Sequence, residues 1–211
     1  MTRDQLIELL GYRLGDRTDM GPRALAEMPL VQGSTLEGNK WLPWFLEKDF
    51  AGVTVAGQDY VSLPADFLTE IEESHLWLTT AEGKQLRLVK KDLDVLKSLC
   101  MEAASQQPCY YARVKGKIVL GPVPDAEYPL TMQYYGQDAD MSAANLETEW
   151  LKHAGDVVMA ELGYVLASKH IQIPELAAAF QQDAVRAWER LYVRHCEIQE
   201  TNQLRAMGGT E

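Results

Sequence analysis

The chain has 211 residues, 46% hydrophobic and 24% charged, with a formal net charge of −11. This length suits one sizeable domain or a domain carrying an insert, and the composition excludes a wholly disordered chain. The acidic balance disfavours tight binding to a phosphate backbone, which needs clustered Lys and Arg, while an acidic wall lets DNA slide past through like-charge repulsion. No stretch approaches the roughly 18–20 apolar residues of a membrane helix, so no membrane association is expected. Met1-Thr2-Arg3-Asp4-Gln5 meets charge at once and lacks the features of a signal peptide; a cytoplasmic place of synthesis is the expectation. Cys100, Cys109 and Cys196 are odd in number and match no zinc spacing, so free, mostly buried thiols are expected.

Residues 2–14 predict a short helix, with Thr2 and Gln5 as a capping box and Leu6, Leu9, Leu10 and Leu14 on one face. Residues 20–38 predict a weaker helix carrying Leu25, Met28 and Val31, kinked or split at Pro29 and loosened by Gly33 and Gly38. Trp41 to Leu46 is a dense apolar knot, better suited to plugging a core beneath helices than to an aromatic ligand box.

From about residue 50 the period changes to two. Val53, Val55, Tyr60 and Val61 belong to short strands broken by Gly52, Gly57 and Pro64. Leu76-Trp77-Leu78 and Leu86-Arg87-Leu88 flank a turn at Glu82-Gly83. Residues 90–99 predict a small helix with Leu93, Leu96 and Leu99 inward. Tyr110–Val114 and Ile118–Leu120 flank Lys115-Gly116 in the clearest hairpin of the chain, and Leu130–Tyr135 alternates again.

An acidic connector over 137–148 leads back to the helical period. Trp150, Leu151, Ala154, Val157, Val158, Leu162 and Val165 mark one helix over about 148–170. Pro174 opens the last, which carries Ala177, Phe180, Ala184, Trp188, Leu191, His195 and Ile198 to about residue 203. The fold class expected is α+β: a helical bundle from the N- and C-terminal helices with an inserted small antiparallel β domain. The parts are 1–48 and 137–205 for the bundle, 49–136 for the insert, and a loose tail at 206–211.

Chemistry is sparse. There is no Walker loop, dinucleotide fingerprint, zincin motif or nucleophile elbow. Glu149, His153 and Asp156 lie within two turns of one helix, near the geometry of a metal pair, but a solvated polar face opposite the apolar stripe is the better reading, since one helix offers too few ligands and no second cluster is evident. Glu70, Glu72 and Glu73 beside His75 form a carboxylate cluster of the kind used by hydrolases, and more commonly a charged edge. His195-Cys196 are helix neighbours that point apart. No catalytic residue, cofactor or metal is therefore expected. Arg186, Arg190 and Arg194 repeat every four residues, either as a solvated stripe paired with Asp183 and Glu189 or as a basic ridge against an acidic partner subunit.

Tyr60-Val61-Ser62-Leu63-Pro64-Ala65-Asp66-Phe67-Leu68 followed by Ile71-Glu72 resembles the strand, Leu-Pro-x-Asp-Phe, strand segment of the head-to-tail adaptor proteins of short-tailed phages. The likeness continues through Pro108–Ala112, Ile118–Asp125 and Tyr128–Tyr135, then Asn145, Trp150-Leu151, and Trp188 with Tyr192. It spans about residues 58–195. The resemblance implies a structural virion protein, not an enzyme, assembled in the host cytoplasm and placed at the head–tail junction. It implies a homo-oligomeric ring, usually of twelve copies, that docks on the portal protein, extends the DNA channel without specific DNA binding and offers a platform to tail or nozzle proteins. Arg186, Arg190, Arg194, Leu204, Arg205 and Met207 are the candidate portal or subunit interface. Alternatives are a carbohydrate- or tail-fibre-binding module using exposed Tyr110 or Tyr134, and a cell-wall hydrolase using Glu70, Glu72 or Glu73.

Overall fold

Thr2 starts the first helix by closing a capping box. Its hydroxyl accepts the Gln5 N–H at 3.3 Å, and the Gln5 side chain accepts the Thr2 N–H at 3.0 Å. In the computed structural model, which describes residues 1–37, 41–71, 75–101, 103–142 and 147–208 (the side chains of 35–37 and 201–208 excepted), helix α1 spans Arg3–Arg13. Leu6, Leu10 and Leu14, each four residues apart, form its buried line. Leu9, expected on the same face, lies on the flank and is exposed.

Helix α2 runs unbroken over Gly21–Glu37 with Pro29 inside it, so the expected split does not occur. Pro29 falls on the exposed side, where water can satisfy the carbonyl that its missing N–H leaves free. Ala24, Met28, Val31 and Gln32 are buried instead.

The chain divides into two compact units, one of Met1–Leu46 with Asp138–Glu211 and one of Glu47–Gln137. In the helical unit, the single helix expected over 148–170 is interrupted. Helix α4 covers Glu149–His153, Ala154 leaves the helical region at φ −133°, and helix α5 covers Gly155–Val165. A π-helical turn over Leu166–Ile171 ends at Gln172 with φ 60°. Helix α6 then runs Pro174–Gly208, past the expected end near 203; of the expected tail, 209–211 lie outside the described residues. Helix α5 is the centre of this unit. Its Val157, Val158, Ala160 and Leu162 are buried, and α1, α2 and α6 all pack against it.

The aromatic knot belongs to this core. Phe45 meets Trp150 edge-on at 5.2 Å and stacks on His153 at 5.5 Å. Trp41 stacks on His195 at 5.0 Å and meets Trp188 edge-on at 6.0 Å. Edge-on and offset contacts of this kind suit the quadrupole of the rings.

The second unit holds two sheets. Strands β1 (Glu47–Val53), β9 (Pro129–Gly136), β4 (Trp77–Thr79) and β5 (Gln85–Arg87) lie in that order, and β3 (Phe67–Glu70) also pairs with β9. The second sheet runs β2 (Tyr60–Ser62), β8 (Lys117–Gly121), β7 (Tyr110–Val114) and β6 (Val89–Lys90). All pairings are antiparallel except β6 with β7. Strand β9 alternates as read from its sequence: Leu130, Met132 and Tyr134 turn inward and join Leu76, Leu78, Ile118 and Leu120 in one core. The β7–β8 turn has positive φ at both Lys115 and Gly116, as a tight two-residue hairpin requires. Helix α3 spans Leu93–Cys100. Leu96 is buried, but Leu99 is 55% exposed, because β7 and β8 cover only the side of α3 that carries Leu96.

Candidate interaction surface

Helix α6 buries one stripe, Ala177, Phe180, Ala184, Ala187 and Leu191. At 100° per residue, Arg186, Glu189, Val193 and Glu197 lie on the opposite side, with Arg190 and Arg194 on its flank. These six residues border a shallow depression along the outer face of the helix. Val193 among them, and Val185 next to Arg186 in the chain, are each more than half exposed.

The three arginines are held differently. Arg190 reaches back to Asp156, in the first turn of α5, at 2.8 Å. Arg194 lies 5.1 Å above the Trp44 ring, a cation–π contact. Arg186 is 4.0 Å from Asp183, whose carboxylate also pairs with Arg13. The structure therefore replaces the expected Glu189 partner with Asp156 and leaves Arg186 the least constrained. Of the other interface candidates, Leu204, Arg205 and Met207 sit on the last turns of α6, and their side chains lie outside the described residues.

A second concavity in the same unit, about 500 Å³, lies between α1 and α2. Ile7, Leu10, Met20 and Leu25 line it, Leu166 contributes to it, and Asp4, Glu8 and Tyr12 border it. Its wall is apolar and these two carboxylates are exposed.

The sequence-level chemical candidates do not converge. Glu149 bonds Lys152 at 2.8 Å and His153 at 3.3 Å, while Asp156 goes to Arg190. Among the described residues no group of three or more His, Cys, Asp or Glu is placed to hold a metal. Glu70 pairs with Lys90, and Glu72 and Glu73 lie outside the described residues. His195 stacks on Trp41, and burial holds its imidazole below the ordinary range. Tyr134, expected to be exposed, is buried and donates to Asp66 at 3.1 Å, since the β9 alternation turns it to the core. Tyr110 is half-buried. The three thiols are free, but Cys109 is exposed and Cys100 and Cys196 are only partly buried, which corrects the expectation of buried cysteines. Among the described residues no helix is long and apolar enough to cross a membrane.

The Leu63–Phe67 segment, by contrast, is a built structure. The Phe67 N–H bonds the Pro64 carbonyl, Asp66 accepts from Lys48 and Tyr134, and Phe67 stacks on Tyr134 at 5.4 Å. Burial alone would raise the Asp66 carboxyl; the bonds from Lys48 and Tyr134 outweigh it and hold the group below its ordinary range.

The helical unit carries an exposed ridge and a groove, and the second unit is an insert of two sheets. The model of the family described as SU10 adaptor protein matches residues 1–208. The chain belongs to that family, one of phage head-to-tail adaptors. No curated protein matches it.

Proposed function

We propose that this adaptor assembles as a ring of twelve copies at the head–tail junction, docks on the portal protein, extends the DNA channel and gives tail or nozzle proteins a platform. The observation that carries this reading is the outer face of α6, where exposed Val185 and Val193 alternate with Arg186 and Arg190. Closed rings need a heterologous contact, two different patches on each copy. The α6 face is one, and the α1–α2 groove with Asp4 and Glu8 on its rim is the other. The last turns of α6, with Leu204, Arg205 and Met207, make the portal contact. A net charge of −11, repeated around an axis, repels DNA and lets it pass without specific binding.

Electron microscopy of the full chain mixed with portal tests this. Rings seated on portal are expected, and a chain lacking residues 200–211 should lose portal binding while keeping its unfolding midpoint. Normal portal binding by the shortened chain would overturn the docking assignment.

A further inference from the structure

Helix α3 ends on a thiol that rests against β8. Cys100 is its last residue, and a methyl group on Gly121 of β8 would come within 2.8 Å of the Cys100 Sγ and 3.1 Å of two Leu96 carbons. Gly121 therefore turns its bare side to α3, and the sulfur occupies the room that a side chain there would take. Gly121 is the register partner of Tyr110 in β7. The Leu120 N–H goes the other way, to the Asp59 carbonyl at 2.7 Å, so by the alternation of an antiparallel ladder Gly121 addresses its own N–H and C=O to β7.

The Cys109 N–H also bonds the Gly121 carbonyl, at 3.0 Å. Cys109 and Tyr110 thus stand together opposite one residue, the two-against-one arrangement of a β-bulge. Strict alternation would send the Cys109 side chain into the core beside Tyr111; the extra residue turns it to the Tyr110 side, where Gly121 faces α3. Cys109 is accordingly exposed while Tyr111 is buried. Burial, and after it the neighbouring Cys109, push the Cys100 thiol up, as expected of two sulfurs within reach of each other's charge. The Cys109 S–H leans on the Gln107 carbonyl at 3.8 Å, a weak contact that a rotation about χ1 releases. Residues 103–108 carry neither helix nor strand, so the chain between the two cysteines can adjust to the span of a disulfide.

We infer that Cys100 and Cys109 are a disulfide-forming pair that fastens the end of α3 to the β7–β8 hairpin when the chain meets a disulfide oxidant of the glutathione class. The exposed Cys109 thiolate attacks one sulfur of the oxidant and expels one glutathione thiolate. The Cys100 thiolate then attacks the Cys109 sulfur of this mixed disulfide and expels the second. Two protein thiols give up two protons and two electrons, and the glutathione disulfide is reduced to two thiols. The moment of closure rests on the adaptor reading proposed above, since a virion part is made among reduced thiols and later meets an oxidising medium. The bond itself does not rest on it, and a chain that failed to form rings would still close it.

Incubating the full chain with oxidised glutathione and mapping its tryptic peptides tests this. Trypsin leaves both cysteines in one peptide, Ser98–Arg113. That peptide should lose two hydrogen atoms and its reactivity toward iodoacetamide, and dithiothreitol should restore both. The bond should close about tenfold faster or more in the folded chain than in the same chain in urea, because the fold already holds the thiols near each other. Cys100→Ser should leave Cys109 carrying one glutathione, and Cys196→Ser, in the other unit, should leave closure unchanged. Oxidation should raise the urea midpoint, and the rise should vanish in Cys100→Ser. A free Cys100 beside a Cys109 that only carries glutathione, a Cys109 bond between chains, closure no faster than in urea, or a midpoint unmoved by oxidation would overturn the inference.

Discussion

Gly163 of α5 lies directly against the Phe180 ring of α6; a methyl group on Gly163 would overlap three of the ring carbons. The two longest-packed helices of the helical unit approach each other here because one of them offers no side chain. Gly163→Ala is expected to destabilise the protein by about 1–3 kcal/mol, the usual cost of overpacking. Phe180→Leu should cost stability in the wild-type background but recover part of the loss in Gly163→Ala. Urea unfolding of the four variants measures the coupling, and additive losses would show that the two residues do not share the strain.

Acid should weaken the fold in two steps. Burial holds His195 below its ordinary value of 6.5, and its Nδ1 has no hydrogen-bond partner among the described residues. The unfolded chain binds this proton more readily, so the contribution of His195 is fully present above 6.5 and is lost as pH falls through the lower folded value. Glu27 acts the same way at lower pH. Its bond with His170, together with that from Lys169, outweighs burial and holds it below its ordinary value of 4.5. The urea midpoint should therefore fall as pH drops below 6.5 and again below 4.5. His195→Phe, which keeps a ring against Trp41, should flatten the first limb, and Glu27→Gln the second.

The ring contact proposed above has a charge test. Arg186→Glu is expected to abolish ring formation on portal without changing the unfolding midpoint, since its ion pair with Asp183 is long and exposed. Glu8→Arg should do the same from the groove side. Combining the two on every copy restores opposite charges and should recover rings in part, scored by negative-stain microscopy. Failure of the combined variant would separate these two residues.

What could be read from the sequence divides along physical lines. The β7–β8 turn was legible because Lys115-Gly116 between two β-patterned runs leaves little but a tight hairpin. The Thr2 capping box and the β9 alternation are likewise local rules, and local rules hold here. The break at Ala154 was not legible, because apolar residues recur at helical spacing on both sides of it. The exposure of Leu99 depends on how far β7 and β8 reach over α3. The arginine periodicity on α6 was visible, yet the partners of Arg190 and Arg194 come from Asp156 and Trp44, distant in sequence.

Asp66 offers the sharpest test of the segment that first suggested the family. Its carboxylate joins Lys48 of β1 to the Tyr134 hydroxyl of β9, and its carbonyl accepts the Gln137 N–H at 2.6 Å. Tyr134 is 4% exposed, so losing this acceptor strands a buried hydroxyl. Asp66→Ala is expected to cost about 1–3 kcal/mol, the range for a buried polar group left unpaired. Tyr134→Phe removes the donor as well and should cost less. In the double variant the loss should fall below the sum of the singles, because the hydroxyl and its partner disappear together. Thermal or urea unfolding reads this directly. Should Asp66→Ala leave the midpoint unchanged, the Leu-Pro-Ala-Asp-Phe segment would owe its place in this chain to contacts with other proteins and not to the fold of the β unit.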